Sequence, residues 1–178
     1  MSDDEDRRRF EQTAIPHLDA AYNLARWLTR NDHDAEDVVQ EALLRAYRFC
    51  DGLRGEARPW LLAIVRNACF SWLRENRPAD IAGGLDEQPE QASGAEGPEA
   101  LAAREMDRRL LNEAISALPA QFREVLVLRE LEDLSYKDIA RIVEAPIGTV
   151  MSRLSRARRL LADSVRVIAR ASRPKVHE

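Results

Sequence analysis

Residues 134–161, LSYKDIARIVEAPIGTVMSRLSRARRLL, carry two helical patterns separated by a short break. Ser135 precedes the first pattern and Asp138 lies three positions later, an arrangement in which the serine hydroxyl caps free N–H groups at the start of a helix. Residues 144–147 interrupt the apolar spacing, and a helix with a basic outer side is predicted from about Gly148. Two helices around a tight break, the second one basic, are typical of a helix-turn-helix.

The start of the second helix is a candidate DNA-contact surface. If the apolar stripe from Val150 to Leu161 faces the core, the residues on the opposite side can enter a major groove, which admits one helix. Arginines there can pair with guanine edges or neutralise phosphates, and free N–H groups at the helix start can bind a phosphate oxygen. A solvated basic helix without a role in DNA binding is the alternative. The candidate residues are Pro146, Gly148, Thr149, Ser152, Arg153 and Arg156.

The remainder of the chain also has apolar residues at helical spacing and few segments that suggest strands. Residues 78–100 differ, because they combine glycines, prolines and acids with few large apolar side chains. Such a segment cannot bury enough surface to offset the entropy of ordering, which predicts a flexible acidic linker. We therefore predict an all-α fold with two small helical domains, residues 1–77 and 101–178, joined by this linker, the second domain being the helix-turn-helix.

The distribution of charge along the chain is uneven. The net charge of −4 would argue against a nucleic-acid partner, but acids are concentrated in residues 80–107 and bases in residues 148–175. Each of these stretches contains a single charge of the opposite sign, Arg104 and Asp163 respectively. An acidic middle and a basic end predict separate parts of the protein with separate partners.

The composition argues against several functional classes. No stretch is long and apolar enough for a membrane span, and no apolar run follows residues 7–9 (RRR), so we predict no signal peptide and a cytoplasmic protein. Cys50 and Cys69 are too few for a disulfide framework and lack metal-ligand spacing relative to the histidines. No nucleophile–base pair or phosphate-binding glycine loop is apparent. We predict no catalytic residue, no metal site and no cofactor.

A second candidate surface lies on the predicted helix that begins near Ala35. Its apolar stripe leaves acidic and amide side chains on the opposite side, and side chains four positions apart stack along a helix. Such a ridge suits a partner surface rich in arginine, and a solubilising face is the alternative. The residues of this acidic ridge are Glu36, Asp37, Gln40 and Glu41.

Four segments resemble, in the same order, the extracytoplasmic-function (ECF) sigma factors of bacterial RNA polymerase. Residues 34–47 (DAEDVVQEALLRAY) resemble the helix that binds core polymerase, and residues 58–76 (RPWLLAIVRNACFSWLREN) resemble the promoter-melting segment. Residues 115–135 (ISALPAQFREVLVLRELEDLS) and residues 134–161 resemble the domain that reads the minus-thirty-five element. Glu144-Ala145 stands where the family commonly has a glycine-containing turn.

The resemblance implies a non-enzymatic sigma subunit that binds core RNA polymerase and directs it to promoter DNA. The acidic ridge would then dock on the clamp helices of the largest polymerase subunit, and the last helix would read the minus-thirty-five element in duplex DNA. Family members are often held inactive by an anti-sigma factor, and this chain would contact a membrane only through such a partner.

The resemblance also places the opened minus-ten DNA on the N-terminal half. A flipped base would lie between the loop at residues 53–55 and Asn67, in a region rich in arginine. Trp60 and Trp72 fall on the apolar stripe of their helix and are predicted to pack in the core. The residues implied for minus-ten DNA are Leu53, Arg54, Arg66, Asn67 and Arg74.

Two other functions are compatible with the same residues. A conventional DNA-binding regulator would use the C-terminal helices as a dimer on palindromic half-sites, without polymerase. A protein-interaction module would keep the helical fold without binding DNA. A sigma factor differs from both because it is a monomer that needs core polymerase for selective promoter binding.

Overall fold

The computed structural model describes residues 2–82 and 99–172, and all regular secondary structure in these residues is helical. The predicted all-α fold is confirmed. Most of the predicted acidic linker lies outside the described residues. We refer to residues 2–82 as the N-terminal body and to residues 99–172 as the C-terminal body.

The N-terminal body consists of five α-helices with short connections. They are α1 (Asp3–Ala14), α2 (Leu18–Thr29), α3 (Asp32–Phe49), α4 (Ala57–Asn76) and α5 (Pro78–Ala82). Helix α3 begins at Asp32, and the Asn31 side chain caps it by accepting a hydrogen bond of 3.0 Å from the N–H of Asp34. Helices α2, α3 and α4 pack around a shared apolar core, and Trp60 and Trp72 pack against it as predicted.

The C-terminal body contains the predicted helix-turn-helix. Its helices are α6 (Glu99–Ser116), α7 (Ala120–Leu126), α8 (Tyr136–Val143) and α9 (Ile147–Ala171), and a π-helical turn, Val127–Leu131, extends α7. The Ser135 hydroxyl oxygen accepts a 3.1 Å hydrogen bond from the N–H of Asp138, which confirms the predicted cap of α8. Val150, Leu154 and Ala157 of α9 are buried, as predicted.

Two details differ from the sequence-based expectation. Residues 78–82, predicted as the start of the linker, form helix α5, and Asp80 in it is buried and bonded to Arg30 at 2.5 Å. An ion pair offsets the cost of burying the carboxylate and fastens this helix to the N-terminal body. Leu111 is 44% exposed although it follows the same helical spacing as Ala114, Ile115 and Leu118, which are buried.

The turn of the helix-turn-helix contains a residue in an unfavourable backbone conformation. Glu144 has φ 53° and ψ 50°, and the next N–H, that of Ala145, bonds to the carbonyl of Ala140 at 3.1 Å. This is the helix C-terminus at which glycine is preferred, because an L side chain in the left-handed region costs free energy. Glu144 is exposed, so the structure offers no buried contact that offsets this cost.

We expect Glu144→Gly to stabilise the protein by about 1 kcal/mol, since glycine adopts the left-handed conformation without steric cost. For a chain of this length, that gain corresponds to a rise in Tm of roughly 2–4 °C. Thermal unfolding followed by circular dichroism would measure it. Glu144→Ala is the control, because alanine keeps the strain, and equal Tm values for the two variants would contradict the prediction.

The two bodies pack against each other and share one continuous core. Helix α4 of the N-terminal body lies against α8, and α2 lies against α7. The first helix of the helix-turn-helix therefore covers part of the helix that resembles the promoter-melting segment.

Candidate nucleic-acid and partner interfaces

The acidic ridge on α3 is fully presented to solvent. Its four side chains are all exposed, while Val38, Val39 and Ala42 on the opposite side of the helix are buried. Glu41 forms an ion pair with Arg45 one turn further along the helix. The four exposed residues are Glu36, Asp37, Gln40 and Glu41. The ridge thus has the hydrogen-bonding acceptors and the rigid support that a basic partner surface requires.

An apolar side chain extends the ridge, and the sequence analysis did not identify it. Leu44 is 65% exposed and lies one turn after Gln40 on the same helix. Protein interfaces usually have an apolar centre surrounded by a polar rim, and an exposed leucine beside polar side chains fits this pattern. The sequence does contain an indication of this. Leu44 lies three residues after Glu41 and four after Gln40, which places it on the side of the helix with the acidic ridge and outside the apolar stripe.

The N-terminal end of α9 presents most of the predicted minus-thirty-five residues to solvent. Pro146, Gly148, Ser152 and Arg156 are exposed, whereas Thr149 and Arg153 are half-buried. The Arg156 guanidinium lies over the Phe122 ring, 5.3 Å from its centroid, so an aromatic contact positions the charged end of this side chain. A Cβ atom added at Gly148 would meet no heavy atom within 4 Å, which leaves space for a phosphate or a base edge.

The predicted minus-ten residues divide into an exposed group and a group in contact with the C-terminal body. Arg54, Asn67 and Arg74 are exposed, and Leu53 is half-buried in the loop before α4. Arg66 is different, because its side chain is 17% exposed and its guanidinium bonds to Glu124 of α7. In this arrangement Arg66 is not available to DNA.

Arg66 and Glu124 form a two-point ion pair between the two bodies. Arg66 Nε donates to one carboxylate oxygen at 2.8 Å and Nη2 donates to the other at 3.1 Å. The Arg66 guanidinium also lies over the Phe70 ring at 4.0 Å. Burial raises the pKa of the fully buried Glu124, although the hydrogen bonds and charge of Arg66 and the charge of Arg153 oppose that shift.

A second polar contact between the bodies is centred on Glu132, which follows the π-helical turn. Arg58 Nη2 donates to a Glu132 carboxylate oxygen at 2.8 Å and to the Glu132 carbonyl oxygen at 2.8 Å. Asn23 Nδ2 donates to the other carboxylate oxygen at 2.6 Å. The side chain of Glu132 is 11% exposed, so its charge depends on these two donors rather than on water.

Arg123, beside Glu124, connects three segments of the chain. Its two terminal nitrogens donate to the carbonyl oxygens of Leu118 at 2.6 Å, Ser116 at 3.1 Å and Leu28 at 3.1 Å. Burial is the main cause that lowers the pKa of Arg123 to about 9, so the guanidinium keeps its proton at neutral pH. The Leu28 carbonyl lies at the end of α2 and therefore joins the two bodies.

The thiol of Cys69 is unsuited to nucleophilic chemistry. Cys69 is fully buried, and burial together with the nearby Glu124 charge raises the pKa of its thiol to about 12. Among the residues that the structure describes, no group of histidine, cysteine and carboxylate side chains could hold a metal ion. No helix in residues 2–82 or 99–172 is both long enough and apolar enough to cross a bilayer.

Two family models match this chain, one in each body. The model for Sigma-70 region 2 matches residues 15–78, and the model for Sigma-70 region 4 matches residues 108–161. The ECF RNA polymerase sigma-E factor of Escherichia coli K12 is 35% identical over 146 residues, covering 77% of this chain and 76% of that protein. The chain belongs to the ECF sigma factor family.

Further relatives of this ECF sigma factor cover nearly its whole length. The RNA polymerase sigma-H factor of Pseudomonas aeruginosa is 33% identical over 178 residues, covering 93% of this chain and 90% of that protein. The sigma factor RpoE of Bartonella quintana, solved in complex with the anti-sigma factor NepR, has a TM-score of 0.70 and 29% identity, covering 89% and 97%. CnrH, solved with the cytosolic domain of CnrY, shares the fold at a TM-score of 0.64 and 23% identity, covering 94% and 91%.

The matched ranges contain every candidate residue of this ECF sigma factor. The region 2 match includes α3 with the acidic ridge and the residues predicted for minus-ten DNA. The region 4 match includes the helix-turn-helix, and it also includes Glu124 and Glu132, which bond to the N-terminal body. The contacts between the bodies are thus contacts between region 2 and region 4.

Proposed function

We propose that this chain directs core RNA polymerase to promoter DNA, with region 2 binding the polymerase and the minus-ten element and region 4 binding the minus-thirty-five element. The observation that carries the proposal is the occurrence of both regions, in order, on one chain of the ECF family. The exposed acidic ridge and the exposed start of α9 support the assignment of the two surfaces.

The polymerase would bring region 2 and region 4 together on one promoter. Neither region alone offers a large DNA interface, so attachment to the polymerase supplies the effective concentration that each DNA contact needs. The sigma factor itself catalyses no reaction in this proposal, and the polymerase carries out nucleotide addition. The alternative of a dimeric regulator has less support, because the N-terminal half matches region 2.

We also propose that the protein acts in the cytoplasm under the control of an anti-sigma factor. The similar RpoE of Bartonella quintana was solved with such a partner, NepR. Run-off transcription with purified core polymerase on a panel of promoters tests the main proposal. Selective initiation that depends on this chain is the expected result, and selective binding to a palindrome without polymerase would contradict it.

The contribution of Arg156 to promoter recognition can be measured separately. Arg156→Ala should weaken binding to the upstream element by roughly 1–3 kcal/mol if the guanidinium reads a base edge. The measurement is holoenzyme affinity for promoters with an intact or a scrambled upstream element. Arg166→Ala is the matched control, because Arg166 is exposed on the same helix but lies further from its N-terminus. An equal loss on both DNAs would identify Arg156 as a phosphate contact instead.

A further inference from the structure

The start of α9 presents two apolar side chains beside the polar residues proposed for the minus-thirty-five element. Ile147 is 46% exposed and Met151 is 52% exposed. They lie four positions apart, so they share one side of the helix and are separated by about 6 Å along its axis. Single exposed apolar residues are common on protein surfaces, whereas adjacent ones mark a contact surface. This side of α9 is therefore a candidate contact surface for an apolar group.

Met151 projects from the exposed face of α9 because the residues around it are small. Gly148 and Ser155 lie one turn before it and one turn after it, Ser152 follows it directly, and all three are exposed. A Cβ atom added at Gly148 would meet no heavy atom within 4 Å, so the space beside the methionine is open. The unbranched thioether side chain has three rotatable bonds and adapts to an apolar group that enters this space.

The neighbouring Ser152 offers a hydrogen-bond acceptor rather than a donor. Its hydroxyl donates to the carbonyl oxygen of Thr149 at 3.0 Å, which uses the single proton that a serine side chain carries. The lone pairs of the hydroxyl oxygen stay available to a donor outside the protein. At this point α9 thus presents an acceptor next to an apolar side chain.

An A·T base pair presents the matching groups in the major groove. Adenine exposes its N6 amino group as a donor, and thymine exposes its C5 methyl group on the same pair. A C·G pair also has an amino donor, on cytosine N4, but it lacks the methyl group. Ser152 alone would therefore accept both pairs, and an apolar contact from Met151 distinguishes the A·T pair.

We propose that Met151, supported by Ile147, reads a thymine methyl group in the minus-thirty-five element, while Ser152 accepts from the adenine of the same base pair. The inference rests on the proposed function, because it assumes that α9 enters the major groove at this element. A protein surface is the alternative occupant. DNA is favoured because the neighbours of Met151 are a serine acceptor, the free N–H groups of a helix start and, one turn beyond Ser152, the Arg156 guanidinium that Phe122 positions.

The test removes only the methyl group from the DNA. A promoter that the wild-type holoenzyme binds selectively is prepared with each thymine of its upstream element replaced in turn by deoxyuracil, which keeps the base pairing and loses the C5 methyl group. At the position that Met151 contacts, the affinity of the wild-type holoenzyme should fall about three- to fivefold, the effect of burying one methyl group. The Met151→Ala holoenzyme should bind the thymine and the uracil promoters equally, because alanine is too short to reach the methyl group.

Met106→Ala is the matched control. Met106 is an exposed methionine on α6 of the same body, so this variant removes the same side chain from a surface to which the proposal assigns no DNA contact. Its holoenzyme should keep the wild-type response to uracil, and both variants should keep the Tm of the wild type. A wild-type affinity that uracil does not change at any position would overturn the proposal. A uracil effect of equal size in Met151→Ala and Met106→Ala would overturn it as well.

A titration of the Met151→Ala chain with core polymerase, without DNA, distinguishes the thymine contact from docking on a protein. The affinity should equal that of the wild type, and a loss would contradict the proposal by assigning Met151 to the polymerase. If the wild-type holoenzyme binds no promoter of the panel selectively, the proposed function is wrong and the thymine contact fails with it. If the holoenzyme binds selectively but does not respond to uracil, only the thymine contact is wrong.

Discussion

Replacing Asp37 and Glu41 with lysine is expected to reduce the affinity of the chain for core RNA polymerase by more than about 100-fold. The two acids lie one turn apart on α3 and are exposed on the acidic ridge. The proposed partner surface is basic, so two lysines would replace favourable charge pairs with like-charge contacts, which cost several kcal/mol at an interface. A pull-down or a fluorescence titration with purified core enzyme, without DNA, measures the loss.

The fold should survive this double substitution. Both side chains are outside the core, and the exposed pair of Glu41 with Arg45 contributes only about 0.3–0.5 kcal/mol as an i,i+4 contact on a helix. Glu5→Lys with Glu75→Lys is the matched control, because both glutamates are exposed in the N-terminal body and the change in net charge is the same. Polymerase affinity that is equal in the two double variants would show that the ridge is not the docking surface.

The helix order and the helix-turn-helix could be predicted from the sequence because local signals determine them. The serine cap of α8 and the apolar spacing of α9 are patterns within a few residues, and each has its expected structure. Helix α1 was not predicted, because its sequence is largely charged. It is held by distant contacts, such as the edge-to-face contact of Phe10 with Tyr47 at 5.4 Å.

The packing of region 4 on region 2 could not be predicted from periodicity. Arg66 and Glu124 are separated by 58 positions. Judged only by its neighbours along the chain, each looks like an ordinary charged residue on the surface. A signal did exist in residues 122–128, FREVLVL, where two adjacent charges lie in an otherwise apolar run. Such a run indicates a helix buried on every side, in which each charge needs a partner from elsewhere in the chain.

Arg123 is a buried charge whose partners come from elsewhere in the chain. Arg123→Met is expected to destabilise the protein by about 3–5 kcal/mol. The arginine is fully buried and donates to three carbonyl oxygens, of which that of Ser116 also accepts from Arg30. Methionine fills a similar volume but donates no hydrogen bond, so the carbonyls of Leu118 and Leu28 lose this donor in a site without water access. For a chain of this length, the expected fall in Tm is roughly 6–20 °C.

Two further variants separate the hydrogen bonds of Arg123 from its charge and its bulk. Arg123→Lys keeps the charge but lacks the planar fork that reaches carbonyls in two directions, so we expect a large part of the loss to remain. Arg129→Met is the control, because Arg129 is half-buried and bonds one carbonyl, that of Leu134, at 2.8 Å. That variant should lose about 1 kcal/mol, the usual net value of one such bond. If Arg123→Met proved no less stable than Arg129→Met, the three carbonyl bonds would not be stabilising the fold.

The pH dependence of the same comparison provides an independent check on the charge state of Arg123. Burial lowers the pKa of Arg123 in the folded chain to about 9, well below that of an exposed arginine, so the folded and unfolded chains both hold this proton at neutral pH. Linkage then requires that the stability difference between the wild type and Arg123→Met stays constant from about pH 6 to pH 8. Between the two pKa values the unfolded chain holds the proton that the folded chain has released, so this group makes stability rise with pH there. Denaturant unfolding at several pH values measures the difference, and a change near neutral pH would mean that Arg123 does not stay charged in the folded chain at that pH.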